Sequence, residues 1–153
     1  MGYQRPGLWV PASADGRVNH QFSAGYFAAF LPGGELPAPI FHDDAPSQRV
    51  LRAWVRNHKI DVVIGLPHHL SLLRAASFSI PGKLGFSTYN WHGGKEVKGM
   101  SGMDYRPTQL AANAVDVLHA ALLNNRHGLW DDAPLTVFNA RLVAGNTTRS
   151  GLQ

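Results

Sequence analysis

Four histidines, His58, His68, His69 and His92, are the side chains here that could best hold a metal ion, but their spacing argues against it. Adjacent histidines point to opposite faces of a strand, and in a helix they diverge by about 100°, so His68 and His69 do not converge on one ion. No H-x-x-x-H or H-E-x-x-H occurs, and cysteine is absent, which removes thiolate ligands and disulfides. A nucleophile elbow needs G-x-S-x-G between a strand and a helix; Gly99-Met100-Ser101-Gly102 is one residue short of it. Gly93-Gly94-Lys95 lacks the spaced glycine and the following Ser or Thr of a phosphate loop. Asp43-Asp44 and Asp131-Asp132 have the setting of turn and cap residues rather than of a paired acid and base. No catalytic residue, metal or cofactor is expected. What remains is recognition chemistry. Phe22, Leu66, Pro67, His68, Tyr89, Asn90, Trp91, His92 and Tyr105 combine aromatic faces with neutral hydrogen-bonding groups. That mixture suits a small polar ligand with one apolar face, such as a sugar. For Phe22 and Tyr89, plain core packing is the alternative.

Those residues need a frame, and residues 47–92 supply it as helix, strand, helix, strand. Val50, Leu51, Trp54 and Val55 recur on one helical face over 47–58. Asp61-Val62-Val63-Ile64-Gly65 is a short, continuous apolar run, the pattern of a strand buried on both faces of a parallel sheet. Leu70, Leu72, Leu73, Ala75 and Ala76 predict a short helix over 68–76. A break at Pro81-Gly82 and a strand over 84–88 follow. Alternation of this kind implies βαβ units. In such sheets ligands bind beyond the carboxyl ends of the strands, here the loops 65–69 and 89–93.

Before this stretch, residues 8–10 predict a first strand stopped by Pro11, residues 12–16 a loop, residues 18–30 a helix, and residues 38–41 a short strand confined to an edge by its prolines. After it, residues 91–102 form a glycine-rich loop. Pro107 starts the longest helix, over 107–125, with Leu110, Ala114, Val117, Leu118, Ala121 and Leu122 in one stripe and a stop at Gly128 after Arg126 and His127. Residues 135–138 and 141–143 are expected to be closing strands, and 148–153 a polar tail.

The order of these motifs resembles the effector-binding domain of lactose-repressor-type (LacI/GalR) transcriptional regulators. Gly2-Tyr3-Gln4-Arg5-Pro6-Gly7-Leu8 is similar to the family's G-x-x-x-I-G-L entry strand, and Gly25-Tyr26 to its G-F/Y pair. Asp61-Val62-Val63-Ile64, then Ile80-Pro81-Gly82-Lys83-Leu84-Gly85-Phe86, then Tyr89-Asn90 follow in the family's order. Ser101-Gly102-Met103-Asp104 with residues 111–118 resembles its T-x-I-D and following helix, and residues 135–148 its closing strands. The resemblance implies an α/β, three-layer αβα fold with a mostly parallel sheet, a partial periplasmic-binding-protein-like type I domain. It implies a single effector-binding and dimerisation unit over 1–153. Within it, 1–104 is mainly the C-terminal subdomain, 105–128 the long helix of the N-terminal subdomain and dimer contact, and 129–153 closing strands and tail.

The function implied is effector sensing in a non-enzymatic, cytoplasmic homodimer. A small molecule, a carbohydrate by family analogy, binds through Phe22, Leu66, Pro67, His68, Asn90, Trp91 and Tyr105. The dimer contact falls on Leu110, Ala114, Val117, Leu118 and Ala121. Operator DNA is reached only through an N-terminal helix-turn-helix that this sequence lacks. Three positions depart from sugar-responsive members: Phe22 stands where they carry Arg, Asn90 where Asp is common, and Tyr105 where a polar residue follows the I-D-like pair. These departures replace a charged grip with an aromatic-lined pocket. A small α/β enzyme of hydrolase type and a stand-alone ligand-binding module without DNA contact are the rival classes.

Composition fits one domain. The chain has 153 residues, 44% of them hydrophobic and 16% charged, with sixteen glycines and ten prolines to turn it. No apolar run approaches the roughly 20 residues of a membrane span, and Met1 to Pro11 lack the apolar core of a signal peptide. The net charge of +4 is scattered, densest at Arg49, Arg52, Arg56 and Lys59, which fit a solvated helix face better than a phosphate-binding stripe.

Overall fold

The apolar run at 62–65 forms the second strand of a five-stranded sheet of order β1-β2-β3-β4-β5. The structure, a computed structural model, describes residues 2–34, 36–126, 128 and 135–149. In chain order the elements are β1 (Pro6–Leu8), α1 (Ala12–Arg17), α2 (Gln21–Ala28), α3 (Gln48–Asn57), β2 (Val62–Gly65), α4 (His69–Ala75), β3 (Gly85–Trp91), β4 (Ser101–Asp104), α5 (Pro107–Leu123) and β5 (Arg141–Val143). Strands β1 to β4 are parallel, and β5 runs antiparallel to β4.

Successive strand residues face opposite sides of a sheet, which creates two cores. Trp9, Val63 and Phe86 face one side, where Leu51, Trp54 and Val55 of α3 and Leu70 and Leu73 of α4 cover them. Leu8, Val10, Ile64 and Tyr89 face the other side, with Phe22 and Tyr26 of α2. The result is the three-layer α/β fold, mostly parallel, that the alternation of elements implies. Ser47 caps α3, its side chain accepting from the Val50 amide; the Val50 side chain is exposed, and Leu51, Trp54 and Val55 form the buried face. In α4, Leu70, Leu73 and Ala76 turn inward and Ala75 outward. Two indoles pin residues 38–43 across the sheet edge: Trp9 donates to the Asp43 carbonyl (2.9 Å) and Trp54 to the Pro39 carbonyl (2.8 Å).

Several expectations need correcting. Residues 12–16 are not a loop: Pro11 accepts from the amides of Ala14 and Asp15 and opens α1. The helix expected over 18–30 begins only at Gln21, because Asn19 and His20 adopt left-handed backbone and separate α1 from α2. The first strand lies earlier, at Pro6–Leu8. Beyond it Trp9 bridges Phe41, the only part of 38–41 in strand pairing. Strand β3 runs on through Asn90 and Trp91, and Ser101–Asp104, expected to begin within a loop, is a paired strand.

Among the described residues 135–138 form no strand pairing, and Leu135 and Val137 are exposed; 141–143 pairs with β4 at the edge of the sheet. Thr148 is no tail residue: it is buried, and its hydroxyl meets that of Ser101 at 2.7 Å. Beside it Thr147 takes the Ser101 amide (2.9 Å) and donates to the Phe86 carbonyl (2.8 Å). His127, Asp131, Asp132 and residues 150–153 lie outside the described residues. Among the described residues no helix is long and apolar enough to cross a membrane.

Candidate ligand-binding site

A cavity of about 390 Å³ opens where β2, β3 and β4 end, against α1 and α2. Its size falls within the roughly 300–1,000 Å³ of small-molecule sites. Phe22 of α2 forms one wall and stacks, tilted, on Tyr89 with ring centroids 4.6 Å apart. Leu66 closes the end of β2, and Asn90 and Tyr105 form the opposite rim.

Tyr89 and Asn90 are consecutive, and on a regular strand they would face opposite sides. A register shift between Thr88 and Trp91 changes this: Thr88 pairs with Gly102 and Trp91 with Asp104, so β3 carries one residue more than β4. Such bulges re-aim side chains. Here the bulge brings both residues to one cavity, held by the Thr88 hydroxyl accepting from the Asn90 amide at 3.1 Å. Tyr105 is presented by a second device. Buried Asp104 accepts from the Arg106 amide (2.7 Å) and lies 3.5 Å from the Arg141 guanidinium, while Arg106 takes left-handed backbone ahead of α5.

Of the seven residues expected to bind ligand, the cavity gathers Phe22, Leu66, Asn90 and Tyr105. Pro67, His68 and Trp91 are not on its wall: Pro67 is half-buried, His68 is exposed, and Trp91 is half-buried with no partner for its indole N–H among the described residues. Ala14, Arg17 and Val18 line the cavity unanticipated. They were hidden because residues 12–16 have no helical periodicity, yet Arg17 adds to the lining a cationic residue that the Phe22 position does not. Tyr89, open to a core reading, is both: its ring walls the cavity and its hydroxyl is buried, without a hydrogen-bond partner among the described residues. Burial, then the nearby Tyr105, Asp15 and Asp44, push its phenol well above the usual range. Burial raises Tyr105 as well. Both remain neutral hydrogen-bonding groups at physiological pH.

Beneath α1 and α2, Asp15 is buried and accepts from the Ser23 hydroxyl, the Ser23 amide (3.3 Å) and the His20 ring (3.1 Å). Burial pushes its carboxyl up, but the bonds from Ser23 and His20 outweigh this and hold it below its ordinary value. Ser, His and Asp meet here without forming a nucleophile. Ser23 and His20 bond the same carboxylate oxygen, so His20 is not placed to take the Ser23 proton. His69 is buried, stacks on Trp9 at 3.8 Å and accepts from the Leu66 amide at 3.1 Å. Burial, with His68 adding to it, lowers its pKa to about 3. It is a neutral packing group that shapes the start of α4. Among the described residues no group of three or more His, Cys, Asp or Glu could hold a metal ion.

No family model matches the sequence, and no curated protein matches it. Solved structures do. A LacI-family transcriptional regulator from Silicibacter pomeroyi superposes with a TM-score of 0.67 at 17% identity, over 97% of this chain and 48% of that one. The Lac repressor bound to ONPG in the repressed state gives 0.67 at 14% identity, over 96% and 46%. The transcription regulator CcpA of Lactococcus lactis gives 0.60 at 12% identity, over 97% and 57%. The fold is of the LacI type. The likeness is one of fold, and the chain spans about half the length of these LacI-type structures. It agrees with the motif resemblance: the segments that resemble the LacI type supply β1, α2, β2, β3, β4, α5 and β5 in that order.

Proposed function

We propose that this chain is the effector-sensing part of a LacI-type transcriptional regulator. It takes a small neutral ligand, a sugar or similar polyol, in the cavity at the carboxyl end of the sheet. It controls DNA binding by a helix-turn-helix outside the present sequence. The observation that carries this reading is the cavity itself. Its lining combines the aromatic Phe22, Tyr89 and Tyr105 with Asn90 and Arg17, on a fold shared with named regulators. An apolar face for the ring of a sugar beside donors and acceptors for its hydroxyls is the usual composition of such sites. Pro67, His68 and Trp91 touch only a ligand that extends past the wall.

We infer a non-enzymatic role; the Ser23, His20 and Asp15 cluster fits it, since Ser23 and His20 both bond the same Asp15 oxygen. Self-association belongs to α5. No described residue of this helix is buried; Ala114, Val117, Leu118 and Ala121 line an open groove, and Leu110 is exposed on the same helix. Exposed apolar stripes of this kind mark contacts, and we assign it to a two-fold dimer. The test is a thermal-shift screen of mono- and disaccharides followed by calorimetry. Asn90→Ala should weaken the ligand found by about 1–3 kcal/mol, the scale of a lost buried hydrogen bond. A ligand whose affinity ignores both Asn90→Ala and Tyr105→Ala places the site elsewhere.

A further inference from the structure

At the opposite end of the sheet lies a second cavity, of about 520 Å³, between the C-terminal halves of α3 and α4 and the entry to β3. Three cations line it: Arg52 and Arg56, one turn apart on α3, and Lys83. Among the described residues no carboxylate is on its wall. The nearest acid in sequence, Asp61, is committed to the amides of Gln4 (2.7 Å) and Arg5 (3.0 Å). The floor is apolar, made by Val55, Ile60 and Leu84, all buried, with Phe78 at its side. Ser79 adds a hydroxyl.

The plainer account is that these cations only complement helix C-termini. It fits Arg52 alone, whose Nε donates to the Ala76 carbonyl at 2.9 Å and whose Nη2 donates to Gln48 at 3.0 Å. Those bonds fix the guanidinium at the cavity. The last carbonyls of both helices are otherwise taken by backbone amides, including Ile60 to Val55, Lys59 to Arg56 and Phe78 to Leu73. Arg56 and Lys83 make no such bond and have no ion-pair partner among the described residues. A third guanidinium, Arg149, reaches the Gly82 carbonyl beside Lys83 at 3.4 Å and adds to the positive field.

We infer that this cavity binds a small organic phosphate monoester. Its dianionic head lies among Arg52, Arg56 and Lys83, and its apolar body rests on Val55, Ile60 and Leu84. Three cations around one concavity suit a compact dianion. A nucleic-acid backbone would need them spread along a stripe, and Arg49 and Lys59 do not join them. The volume also suits a small molecule rather than a flat protein contact. Because the two cavities lie at opposite ends of the sheet, such a ligand and an effector would bind independently of each other's contacts.

The test is calorimetric titration of the full chain with phenyl phosphate, with benzyl alcohol as the uncharged control. Phenyl phosphate should bind saturably and more weakly as salt is raised; benzyl alcohol should not bind. Arg56→Glu and Lys83→Glu, both at exposed positions and checked for an unchanged circular dichroism spectrum, should each weaken phenyl phosphate by about tenfold or more, the scale of a lost charged hydrogen bond. Asn90→Ala should leave it unchanged. Absence of saturable phenyl phosphate binding, or binding that both charge reversals leave intact, overturns the inference.

Discussion

Two tyrosines, Tyr26 and Tyr89, are buried to nearly the same degree (8% and 7% exposed) on the same face of the sheet, yet their hydroxyls differ in partners. The Tyr26 hydroxyl lies 2.9 Å from the Pro6 carbonyl and 3.0 Å from that of Ala38, and so ties α2 to β1 and to the strap that follows it. The Tyr89 hydroxyl has no partner among the described residues. Removing each hydroxyl by Tyr→Phe changes the packing volume little, so the difference between the variants isolates the hydrogen bond. Tyr26→Phe removes the one O–H that the part-buried Pro6 and Ala38 carbonyls share and should cost about 1–3 kcal/mol. Tyr89→Phe removes a desolvated, unpaired hydroxyl and should be neutral or stabilising by up to about 1 kcal/mol. The expected gap is about 2 kcal/mol. With a urea m-value of about 2 kcal/mol/M for a domain of this size, it separates the unfolding midpoints by about 1 M. Urea unfolding followed by far-UV circular dichroism reads it directly. Equal losses of 1 kcal/mol or more in both variants would show that the Tyr89 hydroxyl is paired and that the cavity wall is built differently.

Thr147→Val should destabilise the fold by about 1–3 kcal/mol in the same assay, because it orphans the buried Ser101 amide and the Phe86 carbonyl together. An unchanged midpoint would remove Thr147 from the closure of the sheet. His69 has a folded pKa lowered to about 3, against about 6.5 unfolded. Its contribution is therefore complete above about pH 6.5 and is lost as pH falls toward 3, since only the unfolded state takes up the proton. Between pH 6.5 and 5, stability should fall in the wild type and stay nearly flat in His69→Phe; parallel slopes would contradict the assignment. Leu118→Glu, at a position 61% exposed, should convert the proposed dimer to a monomer in sedimentation without altering the circular dichroism spectrum. A wild-type chain that is monomeric at high concentration would refute the dimer.

The elements that were legible in the sequence are those whose signal is local. Asp61-Val62-Val63-Ile64-Gly65 states a buried parallel strand by composition, and Leu51, Trp54 and Val55 state a helix face by spacing. Helix α1 was not legible. Ala12–Arg17 is short and contains a glycine, and what anchors it is the Asp15 carboxylate held by Ser23, a contact eight residues away. Strand β4, Ser-Gly-Met-Asp, contains no strong strand former and exists because β3 and β5 flank it. The reverse error occurred at 135–138, where Leu-Thr-Val-Phe has strand propensity but no strand partner among the described residues. Of the seven residues that residue type nominated, Phe22, Leu66, Asn90 and Tyr105 line the cavity and Pro67, His68 and Trp91 do not. The bulge that turns Tyr89 and Asn90 to one cavity, and the arrival of Arg17, depend on pairing register and on α1, which no local pattern encodes.

Amide chemical-shift mapping during titration with the best sugar from the screen tests the central claim most directly. Shifts that saturate together at Arg17, Phe22, Leu66, Tyr89, Asn90 and Tyr105, with Arg56 and Lys83 unmoved, are the predicted result. Saturable shifts centred anywhere else, or none across the whole panel of sugars and polyols, would contradict an effector site at the carboxyl end of the sheet.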